Sequence, residues 1–111
     1  MSLEADLDVR VGAAVTFVFT VANATPEARE VTYRGGLGAD VAVYEAGQEV
    51  WRYSDGRAFA QALHTAVLEP GESVRHEATW PDPAPGEYTA EATLAATDAD
   101  AAATASFSVQ G

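Results

Sequence analysis

The stretch GQEVWRYSDGRAFAQAL, residues 47–63, places a strand, a turn and a helical pattern in succession. Residues Glu49–Tyr53 predict a β-strand, and the Ser54-Asp55-Gly56 that follows is typical of a turn. Phe59, Ala62 and Leu63 then recur at the spacing of a single helical face. The sequence therefore predicts one short helix near residues 57–63, capped by the side-chain oxygen of Ser54 or Asp55.

On either side of this stretch, short alternating segments are separated by turn residues. In the clearest of them, Val15–Ala22, large apolar side chains occupy every second position, as in a β-strand. Eight or nine short strands with a turn about every ten residues predict an all-β antiparallel sandwich. The predicted strands are Leu7–Val11, Val15–Ala22, Glu30–Arg34, Asp40–Tyr44, Glu49–Tyr53, Thr65–Leu68, Ser73–Trp80, Glu87–Ala96 and a last strand that ends at Val109. Alanine-rich Thr97–Thr104 also suits a short helix, because alanine is a poor strand former; we assign its second half to the last strand.

The length of the chain, 111 residues, predicts one domain, residues 1–111. There is no cysteine, so disulfides, thiol catalysis and cysteine-based metal sites are excluded. No apolar run approaches the roughly 18–20 residues of a membrane-spanning helix. Residues Met1–Asp6 lack the basic and hydrophobic regions of a secretory signal. We therefore expect a cytoplasmic protein that is not in a membrane.

The chain is strongly acidic, with a formal net charge of -11, and its six basic residues are all arginine. An acidic, lysine-free, alanine-rich chain is typical of a high-salt cytoplasm such as that of a haloarchaeon. A dense carboxylate surface stays hydrated there, because exposed charges are screened within about 3 Å at 1 M salt. An acidic protein from a mesophile is the alternative. The same charge argues against nucleic-acid binding, which depends on neutralising phosphates.

The sequence shows no pattern of catalytic or metal-ligating residues. His64 and His76 have no partners at metal-ligand spacing. Asp98 and Asp100 supply two carboxylates, whereas calcium takes about six or more oxygens. The phosphate-binding, dinucleotide-binding and nucleophile-elbow motifs are absent. The sequence therefore predicts a protein that is not an enzyme and that binds neither a metal nor a cofactor.

Residues 47–63 resemble the signature of the BsuPI family, the intracellular proteinase inhibitors. Flanking segments agree with this family in order and spacing: FVFTVAN at 17–23, DVAVY at 40–44, LEPGES at 68–73 and PGEY at 85–88. The likeness covers roughly Val15–Leu94, although RGGLG at 34–38 is richer in glycine than we expect for the family. The resemblance implies an immunoglobulin-like sandwich that inhibits an intracellular subtilisin-like serine protease.

A substrate-like inhibitor presents an accessible loop to the protease, and three stretches suit that role. Ser54-Asp55-Gly56-Arg57 ranks first, because a loop between a strand and a helix is commonly held rigidly. Leu37 ranks second; it is a lone apolar side chain on a glycine-rich backbone, whose ordering on binding would cost affinity. Pro81–Pro85 is stiffer but has no large anchor. An ordinary connecting loop is the alternative for each stretch.

Two interpretations of Trp51 stay open. Trp51 shares a strand face with Tyr53, and it either packs in the core against Phe59 and Leu63 or anchors a partner from an exposed patch. Arg52 and Arg57 are expected to pair with surface carboxylates. Other open functions are a non-inhibitory immunoglobulin-like interaction module, a ligand-binding sandwich and a periplasm-type metal carrier. The lack of cysteine and of internal methionine disfavours the metal carrier.

The charge predicts how stability depends on salt. We expect the melting temperature to rise from tenths molar to several molar salt, and most steeply at the low end, because screening there changes most. Thermal unfolding followed by circular dichroism across this range is the measurement. A melting temperature that is flat or falls would reject a high-salt adaptation.

Overall fold

A computed structural model of the chain describes residues 3–33, 35, 37–56, 63–97 and 101–110. These residues contain nine β-strands and no helix. The described part of the chain therefore has no helix that is long and apolar enough to cross a membrane. The strands are β1 (Leu3–Val11), β2 (Val15–Asn23), β3 (Arg29–Tyr33), β4 (Ala39–Glu45), β5 (Gln48–Arg52), β6 (His64–Leu68), β7 (Ser73–Trp80), β8 (Gly86–Leu94) and β9 (Ala102–Val109).

The strands form a three-stranded sheet, a four-stranded sheet and a separate pair. The first sheet has the order β1-β2-β7, the second has the order β5-β4-β8-β9, and β3 pairs with β6. Every ladder is antiparallel. The predicted all-β antiparallel architecture is therefore confirmed. The first strand starts at Leu3, earlier than the predicted Leu7, and the predicted strand 87–96 ends at Leu94.

Alternating side chains from the two sheets build one core between them. Phe17 on β2 is buried, and its ring lies 5.6 Å from that of Phe107 on β9. Trp80 on β7 meets Tyr88 on β8 edge to face at 5.0 Å. Because both contacts join opposite sheets, the aromatic rings pack the sheets face to face. Buried aromatic side chains dominate the core energetics of a domain of this size.

Trp51 on β5 is half-buried and completes this aromatic core. Its ring stacks on Phe17 at 5.9 Å and on Trp80 at 6.0 Å, with 23° between the planes in both pairs. The prediction that Trp51 packs in the core is therefore confirmed in part, since one side of the residue remains accessible. The predicted contact with Leu63 is wrong, because Leu63 is 71% exposed. The aromatic partners come from β2 and β7, which are distant in sequence.

The predicted helix near residues 57–63 is absent from the described part of the chain. Residues 57–62, with Phe59 among them, lie outside the described residues. Leu63 lies in no helix and directly precedes β6. The hydroxyl of Ser54, one of the two predicted caps, donates to Asp40. Three spaced side chains are a weak indication of a helix, because so short a segment normally needs tertiary contacts to be stable as one.

Asn23 joins the three-stranded sheet to the β3–β6 pair. Among the described residues it is the only polar or charged one that is buried. Its Nδ2 donates to the carbonyls of Glu27 and Leu68, each at 2.8 Å. Its Oδ1 accepts from the backbone N–H and the hydroxyl of Thr25 at 3.0 and 2.6 Å. The side chain thus replaces the ladder bonds that the backbone loses where β2 ends and β3 turns away.

Replacing Asn23 with alanine should lower the free energy of unfolding by about 2–3 kcal/mol, because buried carbonyls lose their donors. The control Thr20→Ala, in the same strand at a half-buried position, should change it by less than about 1 kcal/mol. Denaturant unfolding of both variants is the measurement. If the two variants unfold at the same denaturant concentration, Asn23 does not hold this junction.

His76 on β7 lies against the segment that precedes β4. Its Nε2 is buried and has no hydrogen-bond partner among the described residues. A Cβ at Gly38 would overlap the imidazole ring, and the ring of Tyr33 meets the imidazole edge to face at 6.4 Å. Burial lowers the pKa of His76 below its usual value. The imidazole therefore packs in its neutral form.

This burial predicts a pH dependence of stability. In the unfolded chain the histidine pKa is about 6.5. At pH values between the lowered pKa of the folded state and about 6.5, the unfolded chain therefore binds more protons than the folded chain. The contribution of His76 is thus complete above about pH 6.5 and is lost as the pH falls through that window. Wild type should lose stability relative to His76→Gln between about pH 7.5 and about pH 5.

Thermal melts of both proteins over this range separate the effect from the general titration of carboxylates, which both share. His64→Gln, which removes the exposed histidine stacked on Tyr33 at 5.0 Å, is the control for loss of an aromatic contact. A constant difference between wild type and His76→Gln at every pH would contradict the assignment.

Candidate protein-binding site

The first-ranked sequence candidate forms a turn at the end of β5. Residues 53–56 turn away from the sheet directly after Arg52. The Asp55 N–H donates to the carbonyl of Arg52 at 3.1 Å, and Gly56 has a φ of 74°, which favours glycine. Asp55 and Gly56 are exposed, whereas Ser54 is half-buried. Arg57, the fourth predicted residue, lies outside the described residues. The turn therefore presents its tip to solvent from a fixed base.

The carboxylate of Asp40 on β4 supports this turn. Its Oδ1 accepts from the Ser54 N–H at 3.1 Å and from the Val41 N–H at 3.0 Å. Its Oδ2 accepts from the Ser54 hydroxyl at 2.8 Å and from Nη1 of Arg52 at 2.9 Å. Backbone contact continues at Tyr53, whose N–H donates to the carbonyl of Val41 at 2.9 Å. One side chain of a central strand thus holds Arg52 and Ser54, on the entry side of the turn.

Arg52 pairs with two carboxylates beside the turn. Its Nη2 lies 2.7 Å from Glu49 Oε1, in addition to the contact with Asp40. The hydrogen bond to Glu49 raises the pKa of Arg52 above its usual value, and the hydrogen bond to Asp40 is the second cause. Arg52 therefore stays charged. The prediction that Arg52 pairs with surface carboxylates is confirmed. The Asp40 side chain is only 17% exposed, so its charge is screened less than that of a surface pair.

Leu37, the second-ranked candidate, lies next to the turn in space. Leu37 and Tyr53 line the same surface hollow of about 250 Å³, together with residues of β7 that include His76. Leu37 is half-buried. We call Leu37 and the turn residues Tyr53, Ser54, Asp55 and Gly56 the turn face. Leu37 and Tyr53, the residue directly before the first-ranked stretch, therefore border one hollow. The structure does not bring Pro81–Pro85 into the lining of this hollow.

The sequence alone does not single out Asp40 as a site residue. Asp40 is one of 17 acidic residues, and its partners Arg52 and Ser54 lie 12 and 14 positions further along the chain. The available indication was the turn itself. The N–H and hydroxyl groups of a Ser-Asp-Gly turn need hydrogen-bond acceptors. In an antiparallel hairpin, the turn that follows the second strand lies beside the start of the first strand, and a residue there can supply them.

Other surfaces show less sign of a built site. A second hollow, of about 400 Å³, lies near the β4–β5 hairpin and is lined by Tyr44 and Ser106 among others, away from the turn face. No group of three or more histidine, cysteine, aspartate or glutamate side chains suited to a metal occurs within the described ranges. Asp98 and Asp100 lie outside those ranges.

Comparison with solved structures relates the fold to a segment of a much larger protein. The chain matches β-glucosidase 3B from Thermotoga neapolitana, in complex with glucose, with a TM-score of 0.56 and 18% sequence identity. The match covers 99% of this chain but only 16% of that one. At this identity the likeness supports the fold alone. No curated protein sequence matches the chain.

Comparison with family models is specific. Residues 2–99 match the model of the BsuPI family, described as intracellular proteinase inhibitors. This range extends beyond the resemblance seen in the sequence and includes the turn face, Asp40 and both core tryptophans. The match covers most of the chain, which belongs to the BsuPI family of intracellular proteinase inhibitors.

Proposed function

We propose that this protein binds and inhibits an intracellular subtilisin-like serine protease through the turn face. The family supports a protease as partner. The observation that carries the choice of surface is the support of an exposed tip by a half-buried carboxylate: Asp55 and Gly56 are exposed, while Asp40 fixes Ser54 next to them. A tight inhibitor needs a loop whose binding conformation already exists, because ordering a loop on binding costs affinity.

The turn face offers complementary chemistry to a protease cleft. Asp55 and Gly56 give a narrow polar tip, and Arg57 follows in the sequence. Leu37 and Tyr53 border the hollow beside it with apolar and aromatic surface. Apolar and aromatic anchors next to a pocket commonly carry the binding energy of an interface, while polar groups around them give orientation. We therefore assign recognition to the turn tip and Leu37 together.

We also propose that residues 1–111 are one domain with an immunoglobulin-like fold. Two antiparallel sheets pack over one aromatic core, and Tyr88 lies near the start of β8. Its hydroxyl donates to the carbonyl of Ala84, upstream, at 2.6 Å. This geometry matches the tyrosine corner found in such sandwiches. Burial raises the pKa of the Tyr88 hydroxyl, with a smaller effect from Glu45, so it remains a donor.

The protein acts by binding in the cytoplasm of a high-salt cell and carries out no catalysis. The description of the family as intracellular supports this location, and the net charge of -11 without lysine supports the salt adaptation. The same charge makes nucleic acid an unsuitable partner. The second candidate function is a non-inhibitory interaction module that uses the same turn face. Both candidates predict a complex, but only the first predicts loss of protease activity.

The double variant Asp55→Ala/Arg57→Ala should raise the inhibition constant by about tenfold or more, equivalent to about 1.4 kcal/mol. Leu37→Ala should weaken inhibition less, because Leu37 lies at the side of the turn. The measurement is inhibition of a purified intracellular subtilisin-like protease in high salt, with folding confirmed by circular dichroism.

Asp8→Ala/Arg10→Ala is the matched control. It removes an exposed ion pair of 3.0 Å on β1 and changes the net charge by the same amount, zero. If the 55/57 variant inhibits like wild type while Leu37→Ala does not, Leu37 is the main anchor and our ranking is wrong. If the wild-type protein binds the protease without inhibiting it, the interaction module is the better assignment.

A further inference from the structure

We propose that Asp40 is the positioning residue of the turn face: its carboxylate holds the turn in the conformation that the protease recognises. This inference rests on the proposed inhibition. It assigns a role to a side chain outside residues 47–63, the stretch most similar to the family. This side chain supports the turn and lies behind its exposed tip.

Asp40 has a rigid base. It lies on β4, which is flanked by β5 and β8, and it pairs in register with Thr93 of β8. The following residue, Val41, is 3% exposed. The carboxylate therefore projects from a strand that is fixed on both sides, and its position depends little on the turn that it supports.

The hydrogen bonds of Asp40 determine the geometry of the turn. Ser54 donates both its N–H and its hydroxyl to the carboxylate, one to each oxygen. Arg52 adds a charge-assisted bond from the last residue of β5, and such bonds are stronger than bonds between neutral groups. The orientation of the Ser54 backbone is thereby fixed directly before the exposed Asp55.

Removing this carboxylate would release the turn while leaving the core intact. Bonds of the Tyr53 and Asp55 N–H groups to backbone carbonyls would remain, but Ser54 would lose both of its acceptors on residue 40. The aromatic contacts of Trp51 with Phe17 and Trp80 do not involve Asp40. We therefore expect a folded protein whose turn samples several conformations and pays an ordering cost on binding.

The test compares graded variants of the support against the same purified intracellular subtilisin-like protease. Asp40→Ala removes both acceptor oxygens, Asp40→Asn keeps one, and Ser54→Ala removes only the hydroxyl donor. Asp8→Ala, which deletes an exposed carboxylate paired with Arg10, matches the charge change of Asp40→Ala. Inhibition constants, cleavage of the inhibitor mapped by mass spectrometry, and amide hydrogen exchange at Ser54 are measured on folded protein.

Asp40→Ala should raise the inhibition constant by about tenfold or more, speed exchange at Ser54, and make the chain a substrate that is cut within residues 53–57. Asp40→Asn and Ser54→Ala should fall between it and wild type, and Asp8→Ala should match wild type. If Asp40→Ala does not fold, the comparison of Asp40→Asn and Ser54→Ala with Asp8→Ala decides the question.

The possible failures are distinguishable. If the wild-type protein inhibits and the Asp40 and Ser54 variants inhibit equally well, the positioning role is overturned and the proposed function stands. If amide exchange at Ser54 is unchanged in Asp40→Ala, the inference that Asp40 fixes the conformation of the turn is wrong. If the wild-type protein inhibits no intracellular subtilisin-like protease, the proposed function fails, and the role assigned to Asp40 fails with it.

Discussion

The stacking of Trp51 between Phe17 and Trp80 is the interaction on which the rest of the structure depends. It connects β5, an edge strand of the four-stranded sheet, to β2 and β7 of the opposite sheet. Because β5 is thereby fixed, Arg52 at its end and Ser54 directly beyond it lie at a defined position beside Asp40. The core and the turn face are consequently linked through adjacent residues, and core packing determines where the turn begins.

In this arrangement the core and the turn are stabilised by different interactions. Apolar burial supplies the stability of the core, whereas a small number of directed hydrogen bonds sets the shape of the exposed turn. Such bonds add little net stability each, but they reduce the conformational freedom that an interface must otherwise remove. The low exposure of Asp40 keeps them effective in high salt, where the exposed carboxylates elsewhere on the surface are strongly screened.

The fold was largely predictable from the sequence, and the arrangement of the site was not. Alternation of large apolar residues in Val15–Val21 is a local consequence of the two-residue repeat of a strand, so β2 could be recognised directly. The helix near residues 57–63 depended on three spaced side chains; of these, Leu63 lies among the described residues, and it is exposed. The pairing of Asp40 with Ser54, and the common hollow of Leu37 and Tyr53, arise from contacts between distant segments. No local pattern encodes such contacts.

The most direct test of the turn face is to map backbone amide chemical shifts of the isotope-labelled protein as unlabelled intracellular subtilisin-like protease is added. We expect the largest changes to fall on Tyr53–Gly56 and on Leu37 and Gly38, with β1 and the β3–β6 pair little affected. Largest changes around exposed Val67 on β6, or around Tyr44 at the other hollow, with an unperturbed turn, would contradict it.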